Sequence, residues 1–326
     1  MQSCRLEGVL SGARPYTVSP LMTETLSSIA GVADVERIDG ARADRAAPPA
    51  LLVEVPHGAD RRAHYDALRA RMLGALPEDL HVFFHVNTDV GAWDYGRRVA
   101  ERVVAARPDR SALVVRCLVP RTFVDTNRFE DVTGDDLGKG GMTAGVAPYI
   151  HDPRDVALLL QLHRTYVDLC ARAYETVCSA GGLALSPHTY GPRTMGIAKI
   201  DDQIVAALRA AHEPEAWASW PVRPEIDLLM RTADGTQFGP EGIEDALVTG
   251  YRAIGLEAVL GGTYTLHPST QTWRWSTTYP GRVIGLEVRR DLLVDAYTPF
   301  DEMRVSAQAA DRIAGPLADA IVARIV

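Results

Sequence analysis

The sequence predicts an α/β protein built around a largely parallel sheet. Three observations carry this. Short apolar runs alternate with stretches of helical periodicity. Two of the runs end in a histidine, at the strand end where open α/β sheets collect ligands. The 326 residues, 47% hydrophobic and 23% charged, are enough for one compact domain with elaborations.

In chain order, ALLVEVPHG (Ala50 to Gly58) is a buried strand that delivers His57 at its carboxyl end. HVFFHVNTD (His81 to Asp89) and ALVVRCLV (Ala112 to Val119) are two further strand candidates. Between them DYGRRVAERVVAAR places Val99, Val103 and Val104 on one helical face. A long helix starts at Asp152-Pro153 and stops at Gly181-Gly182, and GGLALSPHTYG then repeats the strand-to-histidine pattern. EGIEDALVTGYRAIG reads as a helix, LEAVLGG as a strand, and RVIGLEV as a buried strand carrying Glu287. The closing DEMRVSAQAADRIAGPLADAIVARIV is an amphipathic helix bent at Pro316. Two irregular insertions are expected in a single domain spanning 1–326: a Gly- and Asp-rich stretch near 129–148 that suits an active-site lid, and a Trp- and Pro-rich one near 212–238.

A net charge of -8 without a dense Lys/Arg block argues against nucleic-acid and membrane partners and for a small molecule. Cys4, Cys117, Cys170 and Cys178 form no CxxC pair and read as reduced thiols. MQSCRLEGVLSGARP lacks the order of a signal peptide, so a cytoplasmic protein is expected, with a homodimer the commonest assembly for such a chain.

Four segments carry chemistry. His57-Gly58-Ala59-Asp60 puts an imidazole and a carboxylate three positions apart in a turn, a spacing from which both reach one metal; the plainer alternative is a surface turn. Ser186-Pro187-His188 supplies a second strand-end imidazole, and two imidazoles with one carboxylate leave a zinc position open for water. RTFVDTNR, from Arg121 to Arg128, gathers guanidinium forks that bind carboxylates or stabilise an oxyanion, although Asp125 pairing with Arg121 or Arg128 as a structural bridge is equally consistent. In GLEVR, Glu287 interrupts an apolar strand, which suits a general base of raised pKa; pairing with Arg289 or Arg290 is the plainer reading.

In their order along the chain, VPHGAD, RTFVDTNR, HTYGPR, GGTYT and IGLEVRRDLL resemble the N-formylglutamate amidohydrolase family, relatives of aspartoacylase and the zinc carboxypeptidases. The resemblance implies a three-layer α/β/α hydrolase-like fold with a mixed, mostly parallel sheet, as in those carboxypeptidases. It implies one zinc ion per chain held by His57, His188 and Asp60, with Glu287 as general base. Arg121 would stabilise the tetrahedral oxyanion, Asn127 and Arg128 would bind the substrate carboxylate, and Tyr264 would close over it. The expected reaction is cleavage of an N-acyl or N-formyl amino acid by metal-activated water. Relatives carry Glu where this chain has Asp60, which leaves Glu54 or a water as the other source of that ligand. They also carry Asp where this chain has Ser186. A carboxypeptidase-like hydrolase with a pocket enlarged by the 212–238 insertion, and a metal-free binding protein, are the competing readings.

Other polar residues read more plainly. His81, His85 and His163 suit satisfied histidines, with His163 best placed of the three to approach the site. Asp89 suits a helix N-cap, though it and Asp94 also follow a strand end where they could line the pocket. Trp273 and Trp275 suit an aromatic hairpin beside GGTYT.

Overall fold

Leu51–Val55 is buried at every position, as a central strand of a parallel sheet must be when helices cover both its faces. In the computed structural model, which describes residues 26–131, 144–197 and 199–325, that strand is β2. The chain runs β1 (Ala33–Asp39), β2 (Leu51–Val55), α1 (Arg62–Arg69), α2 (Leu80–Asn87), α3 (Ala92–Ala106), β3 (Ser111–Cys117), α4 (Pro153–Cys178) and β4 (Leu183–Tyr190). It continues α5 (Ile204–Ala211), α6 (Pro214–Ser219), β5 (Ile226–Leu228), α7 (Ile243–Ala253), β6 (Ala258–Leu260), α8 (Gln271–Thr278), β7 (Val283–Arg289) and α9 (Ala307–Val322).

The strands form one sheet in the order β1-β3-β2-β4-β7-β5-β6. Its centre, β3-β2-β4-β7, is parallel; β1 joins β3 antiparallel, and β5 joins β7 antiparallel while pairing parallel with β6. Side chains alternate between two cores. Leu52, Leu113, Ala184 and Val283 face the layer of α1, α2, α4 and α5, and Leu51, Val114, Leu185 and Ile284 face α3, α7 and α9. The three-layer α/β/α fold is thus present. Pro316 lies inside α9 and packs against Gly250 of α7, where an added Cβ would come within 3.0 Å of the ring.

Three local expectations change. His81–Asp89 is not a strand: Leu80, Phe83, Phe84 and Asn87 fall at i, i+3, i+4 and i+7, and the run forms α2. QTWRWSTTYPG is not a hairpin, because Thr270 caps α8 by accepting from the Trp273 N–H, and Trp275 stacks on Tyr174 of α4 at 4.7 Å. The 212–238 stretch contains α6 and β5, so it supplies a strand to the sheet. Of the expected lid, residues 132–143 lie outside the described residues.

The strand order places the site. From β2 the chain moves to β3 on one side, then α4 returns it to β4 on the other, so the sheet's switch point lies between β2 and β4. Their pairing stops at Val53 with Leu185. Beyond that the two strands have no ladder between them, and Pro187, which has no N–H to donate, lies past the last pair. A crevice therefore opens at the carboxyl ends of β2 and β4, where such folds bind ligands.

Candidate metal centre

His57 follows β2 and His188 lies near the end of β4, so the two imidazoles meet across this crevice with ring centroids 5.1 Å apart. Asp89, in the link between α2 and α3, completes the group: its Oδ2 lies 3.1 Å from His57 Nδ1 and 3.1 Å from His188 Nδ1. The three side chains are buried, and their donor atoms lie within 4.8 Å of one another. Both outer nitrogens are held: His57 Nε2 by Asp125 Oδ1 at 2.7 Å, and His188 Nε2 more loosely by Ser186 Oγ at 3.3 Å. With Nε2–H donated outward, Nδ1 is the nitrogen left for a metal, the usual carboxylate–histidine–metal arrangement. Two imidazole nitrogens and a carboxylate oxygen fit a zinc-class ion with a position to spare, so the His57–Asp89–His188 group could hold a metal.

Asp60, expected as the acidic donor, is engaged elsewhere. Arg116 of β3 donates to its Oδ1 at 2.7 Å and to the Gly58 carbonyl at 2.8 Å, so guanidinium and carboxylate together pin the turn after β2. Gly58 is needed there, since a Cβ would meet the Arg116 side chain at 2.5 Å. Glu54, the alternative donor, points to α4, where it accepts from the hydroxyls of Tyr166 at 2.9 Å and Tyr174 at 3.2 Å. Burial raises the Glu54 pKa, against those hydrogen bonds and the nearby histidines. Asp89 is not an N-cap; Gly91 occupies that position of α3.

RTFVDTNR combines both readings made of it. Arg121 bridges Asp89 Oδ1 at 3.1 Å and Asp125 Oδ2 at 2.9 Å, which ties the orienting carboxylate to the candidate ligand. Burial disfavours these charges, but Arg121 and the histidines hold both Asp89 and Asp125 well below the usual carboxylate range. For His57, burial and Arg121 pull the pKa down, yet Asp125 and Asp89 outweigh them and raise it. The Arg121 Nε, on the cleft wall, is buried without a partner. Asn127 accepts with its amide oxygen from the Thr272 N–H at 3.0 Å and hydroxyl at 2.9 Å, so its NH2 is what it has to offer the cleft. Arg128 also lines the cleft, and its backbone carbonyl is held by His163 Nε2 at 2.8 Å. His163 is therefore a buried support for the segment.

The parallel register of β4 and β7 sets Glu287 beside His188. Its Oε2 is buried without a hydrogen-bond partner. Burial pushes its pKa up to about 7; the charge of Asp89 adds to this, while His188, Arg121 and Arg223 pull the other way. Arg289 pairs with Asp291, and Arg290 donates to the carbonyls of Val86 and Thr189, so neither neighbouring arginine neutralises Glu287. Asp227 of β5 anchors GGTYT by accepting from the N–H groups of Gly262, Thr263 and Tyr264. Tyr264 thereby faces the cleft, with its hydroxyl accepting from Arg223 at 3.0 Å.

His57, His188, Arg121, Asn127, Arg128, Tyr264 and Glu287 line one cleft of about 400 Å³. Trp217, Trp220, Trp273 and Trp275 are not among its walls, and the 212–238 stretch contributes Arg223 and Leu229. Among the described residues no helix is long and apolar enough to cross a membrane.

The fold is similar to that of a gene product from Agrobacterium tumefaciens, with a TM-score of 0.54 and 16% identity over 90% of this chain and 94% of that one. An N-formylglutamate amidohydrolase from Ralstonia eutropha JMP134 aligns with a TM-score of 0.48 and 14% identity over 89% of this chain and 96% of that one, too distant to bear on function. No protein-family model and no curated protein sequence matches the chain. At these identities the likeness is one of fold, that of a three-layer α/β/α protein.

Proposed function

We propose that the chain is a metal-dependent amidohydrolase that cleaves the linear amide of an N-acyl amino acid. One observation carries the reading: two imidazole Nδ1 atoms converge on one Asp89 oxygen, beside a carboxyl of pKa about 7 that has an unpaired oxygen. His57, Asp89 and His188 would hold one zinc-class ion, which supplies Lewis acidity and brings the pKa of a water toward neutrality.

The chain's own residues account for the rest. Asp125 fixes the tautomer of His57, and Ser186 plays the weaker counterpart for His188. Glu287 takes the proton of the attacking water and passes it to the departing amide nitrogen, a task suited to a carboxyl poised near neutral pH. Arg121 brings fixed positive charge and an unpaired Nε to where the carbonyl oxygen becomes anionic. Asn127 and Arg128 receive the substrate carboxylate, and Tyr264, steadied by Arg223, closes the site.

A panel of N-acyl amino acids, assayed with metal content measured in parallel, tests this. Turnover that tracks metal occupancy supports it. Full occupancy with no amide cleaved, or cleavage of peptides alone, contradicts it.

A further inference from the structure

The cleft is lined by two chemically different sets of residues. Around Arg128 its walls are polar: Tyr264, His267 and Thr270 come from the loop before α8. The second set is apolar, and Asn87, Arg193, Arg223 and Tyr297 line the cleft beside it. Phe83 and Val86 come from α2, Ile204 and Leu208 from α5, and Met195 and Ile197 from the segment joining β4 to α5. The two sets share no structural element. Arg290 ties the apolar set to the chemistry, since it donates to the Val86 carbonyl at 2.9 Å and follows β7 three residues after Glu287.

We infer that the apolar set forms an acyl subsite, and that the substrate is an amino acid carrying a chain-like hydrophobic acyl group rather than a formyl group. The inference rests on the amidohydrolase reading for its orientation. With the carboxylate on Arg128 and the scissile carbonyl at the histidines, the amino-acid half lies against the polar set and the apolar set is left for the acyl half. A formyl group presents only hydrogen on that side of the carbonyl and would leave these six side chains facing water. The cleft volume of about 400 Å³ falls within the range of about 300–1,000 Å³ that holds drug-sized ligands. Each methylene taken from water by such walls contributes about 0.8 kcal/mol, roughly fourfold in affinity.

The test uses zinc-loaded Glu287→Gln protein, so that ligands bind without turnover, and calorimetry with N-formyl-, N-acetyl-, N-butanoyl- and N-hexanoyl-L-glutamate. The expected result is a fall in Kd of about fourfold per methylene from acetyl to hexanoyl, about 100-fold or more in total. Ile197→Asp and Met195→Asp, both in an irregular surface segment, should each flatten that dependence, with melting curves showing that they remain folded. A Kd independent of acyl length overturns the inference. So does a preference set by the amino-acid side chain, read by comparing N-formyl-L-leucine with N-formyl-L-glutamate. Turnover by the unmodified protein is read separately: if none of the amides is cleaved with metal bound, the amidohydrolase reading fails, while the length dependence of binding still decides the subsite.

Discussion

Asp125→Asn keeps the shape of the side chain that orients His57 and removes its charge. Oδ1 accepts from His57 Nε2 at 2.7 Å and from the Asn127 N–H at 2.9 Å, so the new carboxamide oxygen is held on that side. The NH2 group then faces Arg121 Nη2, which now sits 2.9 Å from Oδ2, and two donors oppose each other. Turning the amide over relieves that clash but sets NH2 against His57 Nε2. The imidazole then favours the tautomer with Nδ1 protonated, which cannot ligate a metal. Outer carboxylates of this kind contribute about 10- to 100-fold to metal affinity, or about 1.4–2.8 kcal/mol. Competition of zinc against a chromophoric chelator should therefore show the Kd rising by about 10- to 100-fold. Breaking a buried ion pair also costs about 3–5 kcal/mol of stability, so the titration is run where urea unfolding shows both proteins folded. A Kd within threefold of the unmodified protein would mean that Asp125 does not orient the ligand.

Glu287→Gln should lower kcat by about 10²- to 10⁴-fold with metal content unchanged; activity near that of the unmodified protein removes Glu287 as the base. Arg128→Ala should raise KM for carboxylate substrates by about 10- to 100-fold, the loss of one charge-assisted hydrogen-bonding partner, and leave kcat within a few-fold. A fall in kcat at constant KM would contradict its anchoring role. Glu54 tests linkage. Its folded pKa is raised by burial, so the folded state binds its proton more tightly than the unfolded state does. Its contribution to stability is intact below the unfolded pKa and is lost as pH rises through the folded pKa. Glu54→Gln should therefore gain stability relative to the unmodified protein between pH 4 and pH 8 in urea unfolding, and a pH-independent difference would refute this.

The parallel core and both histidines were legible because buried strands are continuous apolar runs and each histidine stands where its run ends. The acidic member of the candidate metal group, Asp89, was not. HxxD spacing pointed to Asp60, but spacing in sequence carries no account of Arg116, which reaches across from β3 and takes that carboxylate. Asp89 arrives from a segment whose eight residues of mixed aromatic and β-branched character suit a strand or a helix, and only as α2 does the run end with Asp89 at the crevice. Asp125 was visible as an ion-pair partner. Its contact with His57 joins residues 68 positions apart and depends on tertiary packing. Glu287 was legible as a charge in an apolar strand, while its pairing with His188 came from the β4–β7 register.

The central claim is that His57, Asp89 and His188 form the metal centre. Metal analysis of purified, zinc-equilibrated protein tests it most directly, with Asp89→Ala, His188→Ala and Asp60→Ala run beside the unmodified chain. One ion per chain in the unmodified protein and in Asp60→Ala, with loss of the ion in the other two, is the predicted result. Retention in Asp89→Ala with loss in Asp60→Ala would contradict the centre described here.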